Sequence, residues 1–443
     1  MSELPTGWAQ TTLSKIAAWG SGGTPSRSEP SYYGGGIPWI KTGELGPRFV
    51  RSTEESISEE GLSKSSAKLF PAGSVAIAMY GATIGKTSIL GIQATTNQAC
   101  AVGIPHVEAT TKEYLYHFLC SQKEAFIEAG KGGAQPNISQ AIIKDWNLPL
   151  APLPEQKRIA DKLDSVLARV DACRDRLDRL PALLKRFRQS ILAAATSGRL
   201  TEDWRGSVAL SNWATVSVKE ICLSVSDGDH QAPPQATSGI PFITISAFNT
   251  GHLELHKASR FVPKEYFGSL SSIRRPARGD VLYSVTGSIG IAALVDVDAE
   301  FTFQRHVAIL KPDHSRVSSA YLLHLLSSEM IKEQAQLIAT GTAQLTIPLN
   351  GLRAFVINLP PANEQTEIVR RVEILFAFAD RLEARLATAR RQVGQLTPAL
   401  LAKAFRGELV AQDPADEPAA ELLQRLAAQR AEAPKAKRGR AKA

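Results

Sequence analysis

Tyr80–Ser88, YGATIGKTS, is the stretch of this 443-residue chain that comes nearest to a phosphate-binding loop, because Gly85, Lys86 and Thr87 follow Gly81. Such a loop needs four residues between its glycines so that consecutive backbone N–H groups can wrap a phosphate, and Gly81 to Gly85 leaves three. The chain carries its own control: Val285–Ala293, VTGSIGIAA, keeps the glycines and has no lysine. Both stretches are therefore expected to be tight turns between strands, with Lys86 available to the phosphate of a nucleic acid. His252–His256, HLELH, offers two imidazoles and Glu254, but its spacing does not put both histidines on one helix face around a metal. No metal site is expected. Cys100, Cys120, Cys173 and Cys222 lie too far apart for a CxxC knuckle.

Asn358–Pro361, NLPP, is superficially similar to the NPP-aromatic loop with which amino-methyltransferases hold a flipped base, yet a leucine is inserted and the aromatic is missing. No methyltransferase, helicase or nuclease signature stands out, which favours a binding subunit over an enzyme. Lys and Arg number 51 against 43 Asp and Glu, a formal charge of +8 that suits a polyanion partner. No apolar run approaches the ~20 residues of a bilayer span, and the N-terminus lacks a signal-peptide layout. No membrane association is expected, and a reducing cytoplasm is the expected compartment.

The elements that would position these residues come in two copies. YLYHFL at Tyr114 returns as YLLHLL at Tyr321, GIPWI at Gly36 as GIPFI at Gly239, and ILAAATSGRL at Ile191 as LLAKAFRGEL at Leu400. GGAQ before Pro136 answers to GTAQ before Leu345, and Glu155, Gln156 and Ile159 answer to Glu364, Gln365 and Ile368, 209 residues later. A repeat of this length makes two tandem units the first expectation. Each copy opens with short, glycine-punctuated, β-branched runs such as SVAIAMY and DVLYSVTG plus one or two helical stretches, a mixed α/β globule.

Each copy then changes period. Ile159, Leu163, Val166, Val170, Cys173, Leu177, Leu180, Leu184, Phe187 and Ile191 alternate steps of four and three. So do Ile368, Val372, Leu375, Ala379, Leu382, Leu386, Ala389, Val393, Leu396 and Leu400. These are heptad seams, and a strict seam fits another helix better than a sheet. At 1.5 Å per residue a ~40-residue helix is about 60 Å long. Pro154 suits a first helical position and Asn363 an N-cap, while Gly198 and Gly407 suit left-handed stops. Pro181 and Pro398 predict a kink or break.

The expected fold class is α+β: two α/β globules separated by two long helices paired as an antiparallel coiled coil, a dumbbell with pseudo-twofold symmetry. The expected boundaries are 1–151 and 201–360 for the globules, 152–200 and 361–408 for the helices, and 409–443 for a flexible basic tail. A short helix around AAELLQRLAAQRAEA is the alternative for part of that tail, whose end, PKAKRGRAKA, could add phosphate affinity.

Two divergent globules alternating with helices that begin LAPLPEQKRIADKLD and LPPANEQTEIVRRVE and end in ILAAATSGRL and LLAKAFRGEL, together with GIPWIKTGEL, resemble the specificity subunit of type I restriction-modification systems. The resemblance covers residues 1 to about 410. It implies that each globule is a target-recognition domain reading one half of a bipartite double-stranded DNA site, and that the helices set the gap and dock two modification (methyltransferase) subunits. It further implies a chain without catalytic residues that directs adenine methylation and ATP-dependent restriction by its partners, among them restriction/translocase subunits in the full complex. S-adenosylmethionine, ATP and magnesium would then be bound by those partners and not by this chain.

Reading bases needs donors and acceptors at groove edges, while cations on phosphates supply affinity. The candidates in the first globule are Lys41, Thr42, Arg48, Tyr80, Thr83, Lys86, Asn97, Gln98 and Gln135. In the second they are Thr244, Ser246, Asn249, Thr286, Ser288, Gln304, Arg305 and Gln344. Positions that match across the repeat, such as Gln98 with Gln304, have a structural role as their alternative. Glu155, Gln156, Glu364 and Gln365 are expected to lock the helix starts, with docking of modification subunits as their alternative. A nucleotide-dependent enzyme using Lys86 and a scaffold without DNA contact are the competing readings.

Overall fold

The computed structural model describes residues 4–130, 136–206, 212–229, 231–342 and 344–432. It divides into two compact units, Met1–Leu177 with Ala389–Ala443, and Asp178–Thr388. The division cuts each long helix near its middle, so a unit is a globule plus half of each helix rather than one contiguous stretch.

In the first unit the strand Val75–Ala78 is buried at all four positions. It pairs antiparallel with Cys100–Pro105 on one side and Thr87–Leu90 on the other, and Ala17–Ser21 and Phe49–Val50 complete a five-stranded sheet. Successive side chains of a strand point to opposite faces. Val75 and Ile77 accordingly join the core around Tyr114, Leu115 and Phe118, and Ala76 and Ala78 join the core around Ile40, Phe70 and Cys100. Both faces are covered, which is why these strands read as continuous apolar runs. A second sheet, Glu55–Ile57, Tyr33–Ile40 and Thr95–Thr96, lies in the same unit, and Ala9–Thr12 pairs with Asn147–Leu150.

The second unit repeats this plan. Its four-stranded sheet runs Cys222–Asp227, Val307–Pro312, Val281–Ser284, Ala292–Leu294, and its three-stranded sheet runs Arg260–Val262, Ile240–Ile243, Thr302–Phe303. Val281 and Tyr283 face the core of Tyr321 and Leu325, whereas Leu282 faces that of Ile243 and Phe303. Ala214–Ser217 pairs with Val356–Leu359 as the counterpart of the two-stranded ladder. No described strand of this sheet answers to Phe49–Val50, which is particular to the first unit.

The long helices are Leu153–Thr196 and Ala362–Phe405, 44 residues each. Pro181 and Pro398 lie inside them, and both helices run on without the expected break. A proline deletes one backbone hydrogen bond, and the remaining hydrogen bonds of each 44-residue helix carry it through that position. Pro154 is the second helical residue rather than the first. Asn363 is likewise inside its helix and not an N-cap; its Oδ1 accepts the Glu364 N–H at 2.9 Å. Gly198 and Gly407 adopt φ of +76° and +75° just beyond the helix ends, the left-handed stop that glycine makes without steric cost.

The helices pack on each other in each unit. In the first, Ile159 and Leu163 share a core with Leu401 and Ala404. In the second, Ile191, Leu192 and Ala195 share one with Ile368 and Val372. Arg188 reaches Asp380 at 2.5 Å and Glu383 at 2.8 Å, whereas Asp203, later in the chain, meets Arg371, earlier in the second helix. The pairing is thus antiparallel. Burial along the seams is uneven: Val170, Ala379 and Leu386 are buried, whereas Cys173, Leu180 and Leu396 are exposed.

The segment after Gly407 is not a flexible tail as far as it is described. Ala419–Glu432 is a helix. Ala419, Leu422 and Leu426 are buried in the first unit's core, Ala419 N–H donates to Gly7 C=O at 2.8 Å, and Arg158 pairs with Asp416 at 2.7 Å. Charge and alanine content suggested disorder, but leucines spaced by four form an apolar stripe that a neighbouring core can take. The basic end, PKAKRGRAKA, lies outside the described residues.

Candidate nucleic-acid interface

Each unit contains the start of one long helix, and a buried glutamine locks it. Gln156, fully buried, donates from Nε2 to Ala109 C=O at 3.0 Å and Ala151 C=O at 2.9 Å, and its Oε1 accepts the Thr110 hydroxyl at 2.8 Å. Gln365 does the same work in the second copy, donating to Arg316 C=O at 2.8 Å and Pro360 C=O at 3.0 Å and accepting Ser318 N–H at 3.0 Å. Each glutamine thus ties its long helix to the segment that caps the Lys112–Ser121 or Ser319–Leu326 helix.

The glutamates one residue earlier differ between copies. Glu155 Oε2 accepts the indole N–H of Trp8 at 3.1 Å, and its Oε1 is buried without a hydrogen-bond partner. Burial, the largest influence, raises its pKa above the ordinary carboxyl value. Glu364 accepts Trp213 N–H at 2.9 Å on Oε2, and on Oε1 both the Thr201 hydroxyl at 2.7 Å and the Arg205 guanidinium. Where Thr201 and Arg205 stand after the first long helix, the same 209-residue spacing puts Val410 and Pro414 after the second, so Glu155 has no counterpart donors. All four side chains lie inside their units. Trp8 and Trp213 escaped the sequence reading, although GWA at Gly7 and NWA at Asn212 precede the same strands.

In the second unit, Thr286, Arg305 and Gln344 line one open cleft of about 590 Å³ together with Asp227, His306 and Asn350. The turn Val285–Gly290 builds one wall. Thr286 is bridged to Thr346, Gly287 N–H donates to Leu345 C=O at 2.9 Å, and Val285 N–H donates to His306 C=O at 2.9 Å. Gly287 has φ +80°, and a Cβ there would lie 3.2 Å from Gln344 Nε2, so glycine both makes the turn and leaves room for the amide. Burial and, secondarily, the charge of Arg305 hold the His306 pKa below the usual imidazole range, making it a neutral donor and acceptor near pH 7. Arg305, Gln344 and Ser288 are exposed.

Thr244, Ser246, Asn249 and Gln304 do not line that cleft. The Thr244 and Ser246 hydroxyls bond each other at 2.8 Å, and Gln304 uses its backbone N–H on Ile243 C=O at 3.0 Å. Glu254 of HLELH takes Lys257 at 2.5 Å, and among the described residues no three His, Cys, Asp or Glu side chains gather as a metal would require.

In the first unit YGATIGKTS is the turn of an antiparallel hairpin between Val75–Ala78 and Thr87–Leu90, closed by Gly85 N–H to Ala78 C=O at 3.0 Å. It lacks the helix on which a phosphate loop ends. Tyr80, exposed and bridged to Asn137, Thr83, whose hydroxyl donates to Tyr80 C=O at 2.8 Å, and Lys86 share this turn. Asn97 accepts the Cys100 thiol at 3.3 Å, exposed Gln98 accepts the Thr24 hydroxyl, and Thr42 begins a short 3-10 turn. Two expected cations are already engaged: Lys41 by Glu54 at 3.0 Å and Glu55 at 2.9 Å, and Arg48 by Asp164 at 2.5 Å. Gln135 lies outside the described residues.

Comparison with known proteins bears on all of this. The family model described as the type I restriction modification DNA specificity domain matches twice, at residues 5–182 and 210–389. The EcoKI specificity subunit of Escherichia coli K12 is 30% identical over 455 residues, covering 97% of both chains. The EcoBI specificity subunit of Escherichia coli is 34% identical over 352 residues, 72% of each. Among solved structures, the HsdS subunit of Thermoanaerobacter tengcongensis superposes with a TM-score of 0.61 at 21% identity, over 92% of this chain and 98% of that one. A chain from a study of complex assembly and conformational transition in the type I R-M system reaches 0.66 at 19%, over 92% and 100%. These two show a shared fold. With two matched domains and full-length relatives of one kind, the chain belongs to the family of type I restriction-modification specificity subunits.

Proposed function

We propose that each unit reads one half of a bipartite double-stranded DNA site, and that the long helices set the gap between the halves and dock two modification subunits. Family membership makes the chain the non-catalytic determinant of DNA sequence specificity in a type I restriction-modification system. One observation carries the finer reading: the specificity domain occurs twice, each copy with its own sheets and its own locked helix start.

In the second unit the cleft supplies the readers. Gln344 presents an amide of the kind that pairs bidentately with adenine, and Arg305 a guanidinium suited to guanine, with Thr286 and Ser288 as short hydroxyl donors. In the first unit Tyr80, Thr83 and Lys86 on the hairpin turn take that role, together with exposed Gln98. Lys41 and Arg48 are set aside because carboxylates already hold them. S-adenosylmethionine, ATP and magnesium belong to the modification and restriction/translocase partners, and the whole assembly works in the cytoplasm. No helix among the described residues is long and apolar enough to cross a membrane.

The test is co-expression with a modification subunit of the same system, followed by mapping of methylated adenines on genomic DNA. A two-part motif with a fixed nonspecific gap is the expected result. A continuous short motif, or methylation without sequence preference, would overturn the reading.

A further inference from the structure

We infer that Asp164 is a positioning residue which, through Arg48, fixes how the first unit presents its DNA-reading edge, and that the second unit reads its half-site without such a pin. The inference rests on the proposed function and concerns the first unit alone. Asp164, on the first long helix, accepts Arg48 on Oδ2 at 2.5 Å and His117 Nε2 on Oδ1 at 2.7 Å. One carboxylate thereby joins three elements: the long helix, the Lys112–Ser121 helix and the segment entering the strand Phe49–Val50.

That strand is the part of the sheet particular to this unit, and it pairs in parallel with Ile89–Leu90 of the hairpin that bears Tyr80, Thr83 and Lys86. The link is short: Ile89 N–H donates to Arg48 C=O at 2.8 Å, and Ser88 Oγ donates to Pro47 C=O at 2.6 Å. Holding the Arg48 guanidinium therefore holds the base of the reading hairpin against the long helix. Burial lowers the His117 pKa despite Asp164, so a neutral imidazole donates to the carboxylate and leaves its charge for Arg48.

The second unit differs at each position. His324, the counterpart of His117, is buried with Nε2 unpartnered and packs edge-on against Phe376 at 5.8 Å. The residue 209 positions after Asp164 is Glu373, which is exposed and forms no ion pair or side-chain hydrogen bond among the described residues. Arg48 was read from the sequence as a DNA contact, but its geometry makes it one arm of a pin.

The test separates these roles in the complete complex with its modification subunits. Adenine methylation would be mapped for Asp164→Asn, Arg48→Met, Arg48→Lys and Asp164→Asn combined with Arg48→Met. Thermal melting and recovery of the intact complex would be recorded for each. The pin predicts that Asp164→Asn and Arg48→Met relax the same half of the motif by roughly tenfold, the size of a coupling between contacting charged groups. The double variant should be no worse than either single, Arg48→Lys should recover part of the discrimination, and the other half should stay at wild-type fidelity. If Arg48→Met relaxes one half while Asp164→Asn leaves the motif unchanged, Arg48 reads DNA itself and the inference is overturned. Equal relaxation of both halves, or a loss that follows the fall in melting temperature alone, overturns it as well. A wild-type complex with no two-part motif overturns the proposed function, and the pin with it.

Discussion

Trp213 donates its indole N–H to Glu364 across 151 residues of chain, and the same carboxylate takes Thr201 and Arg205 on its other oxygen. One buried glutamate therefore gathers the end of the first long helix, the start of the second globule and the start of the second long helix. Removing one partner of a buried ion pair leaves the other charge uncompensated, which costs about 3 to 5 kcal/mol. Glu364→Gln is expected to lower the melting temperature of the second unit markedly. Glu155→Gln, at a carboxylate with no arginine and one idle oxygen, should leave the first unit within about 1 kcal/mol of wild type. Calorimetry resolving the two transitions checks both; equal losses would contradict the asymmetry.

Glu155 also predicts a pH effect. Burial raises its pKa in the folded protein above the ordinary 4.5. The folded state then holds the proton more tightly, so the contribution is full below 4.5 and is lost as pH rises through the folded value. Relative to wild type, Glu155→Gln should gain stability as pH rises from about 4.5 towards neutrality. A difference in melting temperature that stays constant over that range would refute the assignment.

His324 has the opposite sign. Burial pushes its pKa down from 6.5 to about 4, so the folded state binds fewer protons than the unfolded one. Its contribution is intact above pH 6.5 and is lost as pH falls towards 4, by at most about 3 kcal/mol. His324→Leu, which can pack on Phe376, should resist acid better than wild type in that window, as read by unfolding at stepped pH. Parallel curves would exclude His324 as the cause.

The terminal helix should behave as part of the first unit's core. Leu422→Ala is expected to cost that unit about 3 kcal/mol, whereas Gln424→Ala, on the exposed face, should stay within about 0.5 kcal/mol. The second unit's transition should not move in either variant. A Leu422→Ala protein that melts like wild type would return the segment to the status of a tail.

Much of this was legible because the chain states it twice. The repeat fixed the helix starts, and the glycine spacing excluded a phosphate loop in favour of the hairpin that Val75–Ala78 and Thr87–Leu90 form. Thr286, Arg305 and Gln344 were chosen for their hydrogen-bonding groups and converge on one cleft. What sequence could not show were partners brought together by folding. Lys41 and Arg48 read as free cations because Glu55 and Asp164 are distant or unremarkable in sequence. Local composition likewise hid the terminal helix, whose stripe has meaning only beside Ile159 and Leu401.

The central claim, that each unit reads its own half-site, is tested most directly by exchange. Residues 1–151 would be replaced with the aligned segment of the EcoKI specificity subunit, and adenine methylation mapped for the chimaera with its modification subunits. The account predicts a two-part motif in which one half changes and the other half is kept. Loss of both halves in an intact complex that still methylates DNA, or a motif unchanged by the exchange, would contradict it.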